Sequence, residues 1–142
     1  LIILIIILFL ITFKNKENMG SMSPNKYLIF IDMEYLAKRN ELADKLFEFM
    51  ESNYRTARIF LRGKKIDCIL YNTNKANMYY KSRLETVYPD HLKYHFPKTE
   101  QQIRKLVDGK TILYLGEKKE MEDRNLENRL LHAEEQLQHY SY

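Results

Sequence analysis

The stretch Lys26-Tyr-Leu-Ile-Phe-Ile-Asp32 constrains the fold more than any other part of the chain. It is a short, nearly continuous apolar run after Ser-Pro-Asn, and it stops at a carboxylate. Such a run reads as a buried strand. Residues 33–53 then carry Leu36, Ala43, Leu46, Phe47 and Met50 at helical spacing, so they read as an amphipathic helix. Arg55 to Arg62 alternates instead. Ala57, Ile59 and Leu61 share one face, and Arg58, Phe60 and Arg62 share the other. Gly63-Lys64 supplies a turn. Lys65 to Tyr71 alternates again, with Ile66, Cys68 and Leu70 inward. The pattern predicts a β-hairpin.

The rest of the chain continues the alternation. Asn72-Thr-Asn74 offers capping oxygens to a helix running to about Val87 through Ala76, Tyr80 and Leu84. Pro89-Asp90 breaks it, and His91 to Phe96 reads as a weak strand. Pro97-Lys-Thr-Glu100 opens a helix to Val107, closed by Asp108-Gly109. Lys110 to Leu115 is a strand, and Gly116 leads into a charged helix to about Tyr140. The fold expected is α+β, a mixed sheet with helices packed on it. Its β-α-β-β-α-β order is ferredoxin-like, followed by α-β and a C-terminal helix. Three segments result: an apolar leader or non-native segment over 1–21, an α+β domain over 22–116 and an amphipathic helix over 117–142.

Composition limits the function classes. The chain has 142 residues, 45% of them apolar and 13% aromatic. That is enough for one domain with a real core and excludes a disordered chain. A single Cys excludes an internal disulfide framework and a Cys-based zinc site, and it suits a reducing compartment. An intracellular location, cytoplasm or nucleus, is therefore expected. Leu1 to Phe13 is uncharged and apolar, yet shorter than the roughly 20 residues a spanning helix needs. It reads as the end of a membrane helix, a clipped signal, or upstream text preceding a start at Met19 or Met22. A membrane is a partner only under the first of these.

The charge is concentrated. From Arg55 to Arg83 eight basic residues face Asp67 alone, a net +7, while the whole chain carries +4. In a hairpin, Arg58 and Arg62 would share a face with Phe60 and Tyr71, with Lys64 and Lys65 at the turn. Lys75, Lys81 and Arg83 would follow nearby on the helix. Cations neutralise phosphates and exposed rings stack on unpaired bases. The leading expectation is therefore non-catalytic binding of nucleic acid, without a cofactor. The bland alternative covers Phe60 with a helix and leaves the arginines as a solvated rim.

Arg58-Ile-Phe-Leu-Arg62, Ile69-Leu-Tyr-Asn-Thr-Asn74, Tyr79-Tyr-Lys-Ser-Arg-Leu84, Tyr88-Pro89 and Phe96-Pro-Lys-Thr-Glu100 resemble the C-terminal domain of BRO-like proteins from large insect DNA viruses. The resemblance covers roughly residues 56–108. It implies a viral, nucleic-acid-associated context and assigns no site residue. The chain departs from that family in lacking a recognisable N-terminal BRO or KilA-N domain.

An enzymatic alternative starts from Asp32 and Glu34. Carboxylates at the end of a strand are where metal-dependent nucleases hold Mg²⁺. Leu28-Ile-Phe-Ile-Asp32 also resembles the opening strand of PIN/NYN-type ribonucleases. Such enzymes need further acidic residues converging from later strands, and no acidic pair follows an apolar run before the terminal helix. At a strand–helix junction Asp32 also reads as an N-cap. Mg²⁺ is implied under this alternative alone. His91 and His95 would lie about 13 Å apart on an extended segment and do not make a metal site. Cys68 reads as a small buried hydrophobe.

A third alternative is an interaction module. Leu126, Leu130, Ala133, Leu137 and Tyr140 form a 4-3-4-3 seam, which on one helix would support a homodimer. The other reading packs that seam on the domain's own sheet.

Overall fold

The computed structural model describes residues 24–134. Five strands form one sheet: β1 (Tyr27–Asp32), β2 (Ile66–Tyr71), β3 (Leu92–His95), β4 (Thr111–Leu115) and β5 (Leu130–His132). Their order is β3-β2-β1-β4-β5 and every pair is parallel. Helices α1 (Met33–Ala37), α2 (Asn40–Ser52), α3 (Tyr54–Leu61), α4 (Met78–Val87), α5 (Glu100–Val107) and α6 (Lys118–Asp123) connect them.

β1 explains this arrangement. Leu28 to Ile31 are all at most 1% exposed, as a central strand with both faces covered requires. Ile29 and Ile31 pack with Leu36, Leu46, Phe47, Met50, Ala57 and Leu84, so α1 to α4 cover one face. Leu28 and Phe30 pack with Ile103, Val107 and Met121, so α5 and α6 cover the other. The chain winds outward from β1 through β2 to β3, then returns to β1's other side as β4 and β5. The switch point therefore lies between β1 and β4, where open parallel sheets hold ligands beyond the carboxyl ends of their strands.

The expected combination of helices packed on a sheet is present. The ferredoxin-like order is not, because every strand pair is parallel. The hairpin is the reason: Tyr54–Leu61 is a helix, and only its second half, Ile66–Tyr71, is a strand. Ala57 and Leu61 are one helical turn apart and both are buried, whereas Ile59 is 76% exposed. The apparent alternation arose because i and i+4 fit both periods at alternate residues. Arg62 (φ 52°) and Gly63 (φ 82°) adopt left-handed conformations. They end a helix and do not turn a hairpin. With β1 and β2 joined through helices, the pair is parallel.

The helix expected from Gly116 to Tyr140 is also corrected. α6 ends at Asp123, Asn125 takes a positive φ of 49°, and Leu130–His132 pairs with β4. The dimer seam therefore does not exist as one helical face. Leu126 and Leu130 pack on the core beneath α5 and α6, and Ala133 joins the core on the other side. Leu137 and Tyr140 lie outside the described residues, as does the leader at 1–13. Among the described residues no helix is long and apolar enough to cross a membrane.

Candidate active site at the carboxyl ends of the strands

Asp32 closes β1 and is 3% exposed. Its Oδ1 accepts from the backbone N–H of Glu34 (3.1 Å) and Tyr35 (3.4 Å), capping α1. The same oxygen accepts from Asn72 Nδ2 at 3.3 Å. Asn72 follows β2 with φ 59°, a conformation Asn tolerates better than most residues. A scaffold of amides fixes it there. Asn77, itself buried, donates through Nδ2 to Asn72 O (2.9 Å) and accepts from Asn74 N–H (2.9 Å). Asn74 caps the turn that leads into α4. Oδ1 is thus saturated by three donors, and Oδ2 has none of them.

β4 brings the second carboxyl. After Leu115 the chain passes through Gly116, where an added Cβ would collide with the Tyr114 ring and hydroxyl and stand 3.0 Å from Asp32 Cβ. Glycine lets β4 leave the sheet this close to β1 without displacing the Tyr114 ring. α6 then follows, with Glu117 at its N-cap and Glu120 in its first turn. Glu120 is exposed on α6, and the little desolvation it meets together with the charge of Asp32 raises its pKa. Arg124 opposes the shift. Glu117 turns to Arg39 (3.5 Å). Tyr114 is fully buried, and its hydroxyl has no hydrogen-bond partner among the described residues. Burial, then the charges of Glu120 and Asp32, push its pKa up.

A groove of about 370 Å³ reaches Glu120, lined besides by Tyr71, Glu100, Arg104, Asp123 and Arg124. The Arg124 guanidinium lies 4.9 Å from the Tyr71 ring centre and 5.3 Å from that of Phe30. Burial works against its charge, but the bonds and charge of Glu100 outweigh this and raise its pKa.

The basic residues singled out from the sequence do not form one surface. Arg58 is exposed on α3, and Phe60 on the same helix packs partly into the core, leaving no hairpin face for them to share. Arg62, Lys64 and Lys65 precede β2, at the opposite end of the sheet from Asp32. Lys81 pairs with Glu85 (2.7 Å) and Arg83 with Glu51 (3.6 Å). Tyr71 and Lys75 do stand at the Asp32 end, Tyr71 as the last residue of β2 and Lys75 in the turn after it. Glu34 is exposed in the first turn of α1.

His91 and His95 are apart in role. His91 is buried, stacks on Tyr88 (4.3 Å between centroids) and meets Tyr54 O through Nε2 at 3.1 Å. His95 Nε2 lies 2.8 Å from Asp67, whose other oxygen accepts from Lys110 at 2.6 Å. Cys68 is buried, and desolvation pushes its thiol up in pKa. No group of three or more His, Cys, Asp or Glu side chains suited to a metal occurs among the described residues.

Glu120, Tyr114 and Arg124 were missed from the sequence. The available signal was Leu115-Gly116-Glu117, a carboxylate just after an apolar strand, as at Asp32. It gains meaning only once β4 is known to lie beside β1. Comparison with protein-family models, curated proteins and solved structures finds no match for the chain.

Proposed function

We propose that the chain is a divalent-cation-dependent phosphodiesterase acting on nucleic acid, the PIN/NYN-like alternative of the sequence reading. The observation that carries it is the Asp32–Glu120 carboxyl pair at the β1/β4 switch point, beside the buried, unpartnered Tyr114 hydroxyl. Two acidic groups drawn together with one raised pKa mark a negative site that a cation relieves. Mg²⁺ is commonly held by one or two carboxylates, with water and substrate phosphate completing its shell. Asp32 and Glu120 fit that requirement without a third protein ligand. A cation there would polarise a phosphoryl oxygen and lower the pKa of a water molecule.

The chain's own residues do the positioning. The α1 N–H groups and Asn72 lock Asp32 through Oδ1 and leave Oδ2 for the site. The charge of Asp32 raises the pKa of Glu120, and a cation bound there would be held by both carboxylates and would relieve that repulsion. Exposed Lys38, Lys75, Lys118 and Lys119 follow the carboxyl ends of β1, β2 and β4. They supply the phosphate attraction that the sequence reading assigned to a hairpin. Nucleic acid thus stays the proposed partner, with a different surface and a catalytic role.

The test uses the whole chain with labelled single-stranded RNA, single-stranded DNA and duplex DNA, in Mg²⁺, Mn²⁺ or EDTA. Cleavage with cation, lost in EDTA and reduced at least 10²-fold in Asp32→Asn, is the expected result. Asn is as good an N-cap as Asp, so the variant keeps α1. Salt-sensitive binding with no cleavage would return the reading to non-catalytic binding.

A further inference from the structure

Arg124 is held more firmly than a surface tie between two helices requires. Its Nε donates to Glu100 Oε1 (3.3 Å) and Oε2 (3.1 Å), and its Nη2 donates to Oε1 (3.1 Å). The guanidinium lies over the Tyr71 and Phe30 rings, and Nη1 reaches Met121 Sδ at 3.5 Å. Arg104 donates to Arg124 O at 3.2 Å from the groove's other wall. The two partners are unequally fixed. The Arg124 side chain is 10% exposed, while that of Glu100 is 55% exposed. Glu100 can rotate into water at little cost, and Arg124 cannot.

We infer that Arg124 is an oxyanion-binding fork, kept oriented by Glu100, which yields its place to a phosphate group of the ligand. A guanidinium presents two parallel donors that match a carboxylate and a phosphate equally well. Glu100 is therefore an internal stand-in for that phosphate. The groove explains when the exchange occurs. Its two arginines face Glu100, Glu120 and Asp123, so a further anion is disfavoured until Glu100 leaves or a cation joins Glu120. That the phosphate is a nucleotide's rests on the phosphodiesterase reading; the fork itself does not.

The experiment measures binding of adenosine 5′-monophosphate and of adenosine to the whole chain in EDTA, by calorimetry. The fork predicts weak binding of the monophosphate and none of adenosine. Glu100→Gln tightens the monophosphate about tenfold, and Arg124→Gln abolishes it. Melting curves check that each variant is folded. If Glu100→Gln is folded and does not bind the monophosphate more tightly than the native chain, the inference is overturned and the pair is only a tie between α5 and α6. Equal binding of adenosine also overturns it. Since no cation is present, the expected pattern without cation-dependent cleavage would sink the hydrolase reading and leave the fork standing.

Discussion

At the scale of single residues, Gly116 and Tyr114 are the tightest point of the site. The space a Cβ would need at Gly116 is taken by the Tyr114 hydroxyl and by Asp32 Cβ. Gly116→Ala should cost about 1–3 kcal/mol through overpacking. Tyr114→Phe on that background should recover part of the loss, since it removes the colliding oxygen. Urea unfolding of both variants and their combination reads the coupling; strict additivity would mean the two residues do not meet. Tyr114→Phe alone should leave stability unchanged or improved, because a buried hydroxyl without a partner is a cost.

His91 makes a pH prediction at the same scale. Burial lowers its pKa, and the bond to Tyr54 O only partly offsets this. The unfolded chain, with an ordinary His pKa of about 6.5, therefore binds more protons than the folded one below that pH. Stability from this group is complete above about pH 6.5 and is lost as pH falls toward the lowered value. The urea midpoint should drop between pH 7.5 and 5.5, and His91→Gln should flatten that slope. A slope unchanged in the variant would assign the acid sensitivity elsewhere.

At the scale of elements, α3 is the informative case. Ile59 is exposed on this helix, yet a strand with Ala57, Ile59 and Leu61 inward would bury it. Ile59→Lys should change stability by no more than about 0.5 kcal/mol. Arg62→Gly should stabilise by about 1 kcal/mol, because Arg pays a steric penalty at φ 52° that glycine escapes. Thermal melts check both. A large loss from Ile59→Lys would favour the strand.

The same element shows what could be read in advance. β1, β2, β4, α2 and α5 were legible because their apolar spacing or caps admit one period. Eight residues from Tyr54 to Leu61 were not, since Ala57 and Leu61 satisfy both periods and Gly63 serves a helix end as well as a turn. Residues 124–132 were misread because the spacing of Leu126, Leu130 and Ala133 suits a helical seam, whereas Asn125 breaks the helix and β4 offers an open edge. Asp32 was legible as a strand-terminal carboxylate. Its partner Glu120 was not, because 88 positions of sequence separate them and only the sheet order joins β1 to β4.

At the scale of the whole molecule, a parallel sheet folded outward from one central strand concentrates its loops at one end. The β1–α1 junction, the Asn72–Asn77 turn and the Gly116–Glu120 segment all meet there. Packing fixes the strands, and the order of β1 and β4 brings Asp32 and the α6 turn that carries Glu120 to the same end of the sheet. That arrangement is the central claim, and cation binding tests it most directly. The measurement is a titration of the whole chain with Mn²⁺, followed by electron paramagnetic resonance of the free ion at neutral pH. The account predicts one site per chain, competed by Mg²⁺ and weakened at least tenfold in Asp32→Asn and in Glu120→Gln, with both variants folded. No bound Mn²⁺ at millimolar concentration, or a site that both substitutions leave unchanged, would contradict it.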